Sequence, residues 1–144
     1  MNSRNAERPV EIVMIEDDEG HARLIEKNIR RAVVCNEIKH FPSGTAGMEH
    51  LLGGREEGPV LVLLDLNLPD MSGTDILAAI KNDERLRRAP VVVLTTTDDQ
   101  REIQRCYDLG CNVYITKPVN YDNFANAIRQ LGLFFSVIQV PTPE

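Results

Sequence analysis

Val60-Leu61-Val62-Leu63-Leu64-Asp65-Leu66-Asn67-Leu68-Pro69-Asp70 is the stretch that decides the fold. Aliphatic residues run without a break and stop at a carboxylate; a Pro-containing turn, Ser72, Gly73 and then a helical pattern follow. An unbroken apolar run closed this way reads as a parallel strand buried on both faces. It delivers Asp65 to the carboxyl edge of a sheet, where open α/β sheets bind their ligands. A carboxylate at such an edge serves as a nucleophile, a metal ligand or a helix cap. The rest of the chain decides among these.

The flanking sequence repeats the same strand–helix unit. Val10 to Ile15 is an apolar run ending in Glu16-Asp17-Asp18-Glu19-Gly20 and makes the first strand; Ala22, Ile25, Ile29 and Ala32 then recur at helical spacing. Glu37 to Phe41 alternates polar and apolar, the signature of a half-exposed edge strand. Pro42-Ser43-Gly44 turns the chain into a second helix over Thr45 to Leu52, and Gly53 to Gly58 is a loop. The third helix is expected from about Thr74 to Lys81. Pro90 opens a fourth strand, Val91 to Leu94, which ends at Thr95-Thr96-Thr97. The fourth helix starts near Asp98 or Asp99, turns Ile103, Cys106 and Tyr107 inward, and stops at Gly110. A fifth strand, Asn112 to Thr116, ends at Lys117-Pro118, and Asn120 caps a fifth helix. Five alternating pairs predict an α/β fold: a flavodoxin-like (βα)5 doubly wound parallel sheet, strand order 2-1-3-4-5, with the alternating second strand on an edge.

Bulk properties set outer bounds. At 144 residues the chain is expected to hold one domain: a flexible N-terminus over 1–9, the domain over 10–140 with an extended apolar C-terminal helix, and a tail over 141–144. A formal net charge of -6 argues against sequence-independent nucleic-acid binding, which needs a basic face. No basic-apolar leader opens the sequence, and the most apolar stretch, Leu131 to Val140, is about half the roughly 20 residues a membrane span requires. Cys35, Cys106 and Cys111 are odd in number and contain no CxxC pair, so they read as reduced thiols. A soluble cytoplasmic protein is expected.

The residues just past each strand form a constellation. The first strand supplies Glu16 and Asp17, the third Asp65, the fourth Thr95 and the fifth Lys117. In the expected order these strands are consecutive neighbours about 5 Å apart. Three acids, a hydroxyl and an ammonium therefore meet in one cleft. Packed carboxylates repel unless a cation or a proton sits among them. Hard oxygen ligands in this number suit Mg²⁺, and Lys117 can neutralise Asp65 from the other side.

With these residues in order at these strand ends, the chain resembles the receiver domains of the two-component response-regulator family. Asp65 precedes Thr95 by 30 residues and Thr95 precedes Lys117 by 22, as in that family, and Asp65-Leu-Asn-Leu-Pro-Asp-Met-Ser-Gly73 resembles its loop after the phosphorylated strand. Val91-Val-Val-Leu-Thr-Thr-Thr97 and Tyr114-Ile-Thr-Lys-Pro118 are similar to the stand-alone regulators that pair with phytochrome kinases. The resemblance implies a phosphoprotein that is not an enzyme beyond its own phosphotransfer and autodephosphorylation. Asp65 would accept a phosphoryl group from a sensor histidine kinase; Glu16, Asp17, Asp65 and the carbonyl of Asn67 would hold Mg²⁺. Lys117 would offset phosphoryl charge, Thr95 would hydrogen-bond the phosphoryl group, and Tyr114 would rotate inward behind it, changing the face made by helix 4, strand 5 and helix 5. The resemblance also implies a cis Lys117-Pro118 peptide. Glu16 replaces the more usual first Asp, Thr96 stands where a smaller residue is usual, and Asn67 and Thr97 line the path of attacking water.

Asp18 reads as solvated, and His21, His40 and His50 as surface or partly packed residues with no metal spacing. Tyr121, Phe124, Ile128, Leu131, Phe135 and Ile138 step at seam-like intervals. A helix from Asn120 to Ile138 would be roughly 28 Å long against about 17 Å for a five-residue strand, so its end overshoots the sheet. A homodimer through helix 4, strand 5, helix 5 and this extension, with Phe134, Phe135 and Ile138 in the contact, is expected. The chain ends at Pro141-Thr-Pro143-Glu, and no output domain is expected. Within the class, the rivals are a phosphorelay intermediate and a chemotaxis-like regulator. Outside it stand a flavodoxin-like flavin carrier, which needs a phosphate-cradling first loop where this chain has Glu-Asp-Asp-Glu, and an aspartyl-nucleophile phosphatase, which needs an Asp where this chain has Asn67.

Overall fold

Val60 to Leu64 and Val91 to Thr95 are buried at every position, as unbroken apolar runs must be if helices cover both faces of their strands. The structure, a computed structural model, describes residues 10–32, 36–55 and 58–117 together with Asp122 and Asn126. The elements run β1 (Glu11–Ile15), α1 (Glu19–Ala32), β2 (Ile38–Phe41), α2 (Gly44–Glu49), β3 (Val60–Leu64), α3 (Gly73–Asn82), β4 (Val91–Thr95), α4 (Gln100–Leu109) and β5 (Val113–Thr116). The helix after β2 continues past α2 as one wider π-type turn, His50–Gly54. All strand pairs are parallel and the order is β2-β1-β3-β4-β5, as the sequence predicts. Asp122 and Asn126 are helical, as a fifth helix requires. The Lys117-Pro118 peptide, the Asn120 cap and Phe134, Phe135 and Ile138 lie outside the described residues.

The period of two along each strand divides the core. Ile12, Met14, Leu61, Leu63, Val92, Leu94 and Ile115 pack with Ala22, Ile25 and Ile29 of α1 on one face. Val13, Ile15, Val62, Leu64, Val91 and Val93 pack with Leu51, Ile76, Leu77, Ile80 and Cys106 on the other. Each fully buried aliphatic contributes about 1.5–3 kcal/mol, so these two layers supply the main drive to fold. β2 is half-buried throughout, matching its alternating sequence and edge position.

Side chains set the helix ends. Ser43 Oγ accepts from Ala46 N at 3.1 Å, and Asp99 Oδ1 accepts from Arg101 N at 2.8 Å. Gly110 ends α4 in the left-handed region at φ +110°, which glycine adopts without strain. At the opposite end of the sheet from Asp65, the Glu11 carboxylate accepts from His50 Nε2 at 2.7 Å and Arg55 Nε at 2.8 Å, tying the π-type turn to β1. Burial alone would raise the Glu11 pKa, but the hydrogen bonds and charges of Arg55 and His50 hold it below the usual value.

The expected inward face of α4 is corrected at one position. Cys106 is fully buried and Leu109 packs against the core, whereas Tyr107 is 45% exposed. The 106–109 pair sets the phase of the helix, which rolls Tyr107 outward. Its hydroxyl still accepts from Tyr114 N at 3.2 Å across the helix–strand junction.

Candidate functional site

Parallel strands that end in register share one edge, and the backbone ladder runs one residue past three of them. Glu16 N donates to Phe41 O at 3.0 Å, Asp65 N to Ile15 O at 3.0 Å, and Lys117 N to Thr95 O at 2.7 Å. The backbones of Glu16, Asp65 and Lys117 are thereby fixed to the sheet. Glu16, Asp65 and Thr95 are buried and Asp17 is exposed. One oxygen of each acid, Glu16, Asp17 and Asp65, lies within 4.8 Å of the others. Glu16, Asp17, Asp65, Asn67, Thr95 and Lys117 are thus brought to one place from four strand ends.

Lys117 is the counter-charge. Its Nζ donates to Glu16 Oε1 at 2.7 Å and stands 3.5 Å from Asp65 Oδ2, with its side chain only 6% exposed. Burial pushes the Glu16 pKa up and the Asp65 charge adds to the rise; the Lys117 hydrogen bond opposes both without cancelling them. Among the described residues the three acids outnumber the single ammonium, which leaves an excess of negative charge beside solvent at Asp17. Hard oxygen donors with that excess, part buried and part open, fit a divalent cation. A groove lined by Asp17, Asn67, Pro69, Asp70 and Ser72 runs past this opening.

The loop after β3 is held at several points. Asn67 N donates to Asp65 Oδ1 at 3.1 Å and Asn67 Nδ2 donates to Thr95 Oγ1 at 3.1 Å, which turns the Thr95 hydroxyl toward Asp65's loop. The loop folds back through an Asn67–Ser72 bridge, and Gly73 N donates to Leu66 O at 3.1 Å. A Cβ at Gly73 would lie 2.4 Å from Leu66 Cα and 2.7 Å from Asp65 O, so only glycine fits there. Asp70 reaches across to α2 and accepts from Thr45 Oγ1 at 2.6 Å, Thr45 N at 2.8 Å and Gly44 N at 2.9 Å. These bonds, the Thr45 hydroxyl foremost, hold its pKa at about 2.

Tyr114 packs against the core and its hydroxyl donates to Thr97 O at 2.7 Å; burial pushes its pKa up to about 12. It therefore sits on the strand next to Thr95, with its polar tip anchored to the loop that follows β4.

Three residues read as peripheral turn out to border the site. Asp18 is half exposed as expected, yet its Oδ1 accepts from His21 N at 2.9 Å, so it is the cap of α1, and that bond lowers its pKa. His40 Nε2 donates to the carbonyl of Glu16 at 2.7 Å. His21, although its side chain is 45% exposed, places Nδ1 3.0 Å from Lys117 Nζ. An α-helical offset of three from the cap was the available signal for His21; nothing local in the sequence marks His40. Among the described residues, none of the three histidines belongs to a metal cluster.

A buried carboxylate with an oxygen facing an ammonium, a hydroxyl beside it and two further acids behind it can offset the charge of a cation or of an anionic group. The response regulator receiver domain family matches residues 12–129. Among curated relatives, the probable methanogenesis regulatory protein FilR2 of Methanothrix harundinacea is 36% identical over 88% of this chain and 83% of its own length. Response regulator Rcp1 of Synechocystis is 34% identical over 88% and 89% respectively. Among solved structures, a response regulator receiver domain from Rhodospirillum rubrum is 70% identical with a TM-score of 0.77, covering 94% of this chain and 99% of that one. The phosphorylated cyanobacterial phytochrome response regulator RcpA is 33% identical with a TM-score of 0.75, over 95% of this chain and 100% of that one. The Mn(2+)-bound form of Rcp1 is 33% identical with a TM-score of 0.74, over 94% of this chain and 100% of that one. On that coverage, and on a sheet laid down strand for strand as the family requires, this chain belongs to the response regulator receiver domains.

Proposed function

We propose that this receiver accepts a phosphoryl group on Asp65 from the phosphohistidine of a sensor histidine kinase and signals through the face made by α4, β5 and the helix that follows. The observation that carries the reading is the buried Asp65 carboxylate at the end of β3, with Oδ2 facing Lys117 and Oδ1 taken by the Asn67 amide. An Asp65 oxygen attacks phosphorus; a P–O bond forms, the P–N bond to the kinase imidazole breaks, and the imidazole takes up a proton. Little covalent work falls to the protein, so positioning and charge stabilisation dominate. Glu16, Asp17, Asp65 and the carbonyl of Asn67 are the residues that would hold Mg²⁺, which supplies positive charge against the phosphoryl oxygens. Lys117 donates to the same oxygens. Thr95 releases Asn67 and donates its hydroxyl to the phosphoryl group, and Tyr114, anchored at Thr97, answers that movement on the surface.

A phytochrome-type kinase is the partner proposed, on the likeness to RcpA and Rcp1. The assembly proposed is a homodimer through α4, β5 and the C-terminal extension with Phe134, Phe135 and Ile138 in the contact; the seam-like spacing of that extension supports it. The decisive experiment is labelling by acetyl phosphate with Mg²⁺, in wild type and in Asp65→Asn. The wild type takes one phosphoryl group and the variant none; equal labelling sinks the mechanism. A variant truncated after Leu133 is expected to be monomeric, and persistence of the dimer removes the extension from the contact.

A further inference from the structure

The phosphoacceptor reading leaves the contact between His21 and Lys117 unexplained. At 3.0 Å one partner must accept, and an ammonium only donates. His21 Nδ1 therefore presents its lone pair to the ammonium, and the same nitrogen lies 3.9 Å from Glu16 Oε2 and 4.0 Å from Asp18 Oδ2. The Lys117 ammonium has three hydrogens and meets three acceptors: Glu16 Oε1 at 2.7 Å, His21 Nδ1 at 3.0 Å and Asp65 Oδ2 at 3.5 Å. Its two shorter contacts are to Glu16 and His21, and the longest points at the nucleophile. The backbone that carries the imidazole is fixed, because His21 N donates to Asp18 Oδ1 at 2.9 Å in the first turn of α1.

We propose that His21 is a positioning residue for Lys117, taking one ammonium hydrogen so that Glu16 and His21 together aim the remaining one at Asp65 and at the phosphoryl group it carries. A neutral acceptor suits this position. A carboxylate there would add charge to a cluster that already has three acids, and an apolar side chain would leave an N–H of a lysine that is 6% exposed without a partner. The kinetic consequence rests on the phosphoacceptor reading; the contact itself does not.

The test uses the full chain and two readouts. The first is the ¹H–¹⁵N correlation spectrum of lysine ammonium groups, without phosphodonor, with Lys117 assigned by loss of its signal in Lys117→Arg. A bonded, shielded ammonium exchanges slowly and is visible. The signal is expected in wild type and in His21→Asn, whose amide oxygen accepts near the position of Nδ1, and is expected to vanish in His21→Ala and His21→Leu. The second is phosphorylation by acetyl phosphate with Mg²⁺. The rate at saturating donor falls roughly tenfold in the Ala and Leu variants and recovers in the Asn variant, with the half-saturating donor concentration unchanged, because aim and not donor affinity is lost. A Leu variant with wild-type signal and rate overturns the proposal. So does an Asn variant no better than Ala, since that outcome makes His21 a packing residue. If no protein, wild type included, takes up phosphate while the ammonium pattern holds, the phosphoacceptor reading falls and the His21–Lys117 tether stands.

Discussion

Lys117→Met keeps the buried stem and deletes the ammonium. That ammonium lies 2.7 Å from a Glu16 carboxylate whose side chain is 2% exposed, and 3.5 Å from Asp65. Removing one partner of a buried ion pair costs about 3–5 kcal/mol. The lower end applies here, because burial favours the protonated form of Glu16 and Asp18 N still donates to its other oxygen at 3.1 Å. The expected loss is about 3 kcal/mol at neutral pH in metal-free buffer; at about 2 kcal/mol per molar urea it lowers the unfolding midpoint by roughly 1.5 M. The pH dependence has a definite sign. A carboxyl whose pKa is raised by folding binds more protons in the folded state, so its contribution is fully present below the ordinary value of 4.5 and is lost as pH rises through the folded value. In the variant, with the opposing Lys117 bond gone, that window extends higher, and the deficit relative to wild type shrinks as pH is lowered toward 4.5. Adding Glu16→Gln to the variant restores most of the loss.

The same deletion acts in the opposite sense on cation binding. Unit charges about 4 Å apart interact by about 4 kcal/mol at an effective dielectric of 20. Screening by solvent reduces the net gain to about 1.4 kcal/mol, which tightens Mg²⁺ binding about tenfold. Urea titration in EDTA and calorimetric Mg²⁺ titration measure the two effects. An unchanged midpoint refutes the claim that Lys117 neutralises Glu16, and weaker Mg²⁺ binding refutes the claim that the acids alone form the cation site.

Gly73→Ala should cost about 2–3 kcal/mol and slow phosphorylation together, because its Cβ meets backbone atoms of Leu66 and Asp65 that cannot move without moving the acceptor; thermal melts and acetyl phosphate kinetics read both. Asp70, held at about 2, contributes stability that is present above the ordinary value of 3.8 and lost as pH falls through the folded value, so Asp70→Asn should flatten the acid limb of the unfolding curve in that window alone. Tyr114→Phe deletes the hydroxyl bond to Thr97 and should lower stability by about 1 kcal/mol; a larger loss would mean the ring itself had moved. Burial pushes Cys106 up to about 11 and Cys111 up to about 12, so a Cys35→Ser variant should resist thiol reagents at pH 8 until urea unfolds it, and rapid labelling of the native protein would contradict that packing.

The sheet and its edge were legible in the sequence for one reason. A parallel strand covered on both faces must be apolar at every position, so β1, β3 and β4 stand out as runs, and the first polar residue after each run must lie at the carboxyl edge. Glu16, Asp65 and Thr95 follow from that rule without knowledge of any contact. Helix faces were less legible. Over the ten residues of α4, Ile103, Cys106 and Tyr107 fit a helical stripe as well as the observed face does, and only packing of Cys106 and Leu109 against the core rolls Tyr107 out. The sequence places His21 at the surface, as the structure does, but its nearness to Lys117 depends on where α1 begins, which the Asp18 cap decides among several adjacent acids.

Least legible were the ties between distant segments, Asp70 to Thr45, Asn67 to Thr95 and His40 to Glu16. No periodicity announces them, because each joins residues far apart in the chain through side-chain hydrogen bonds. Yet they converge on one consequence. The segment from Asp65 to Gly73 is pinned to β4 through Asn67, to α2 through Asp70, and to its own start through Gly73. Asp65 is therefore aimed in part by α2, an element that carries no site residue itself and supports the loop that holds the carboxylate. Perturbing Thr45 should then alter the Asp65 loop while leaving every acid, hydroxyl and ammonium of the cleft in place, which separates the geometry of this site from its charge.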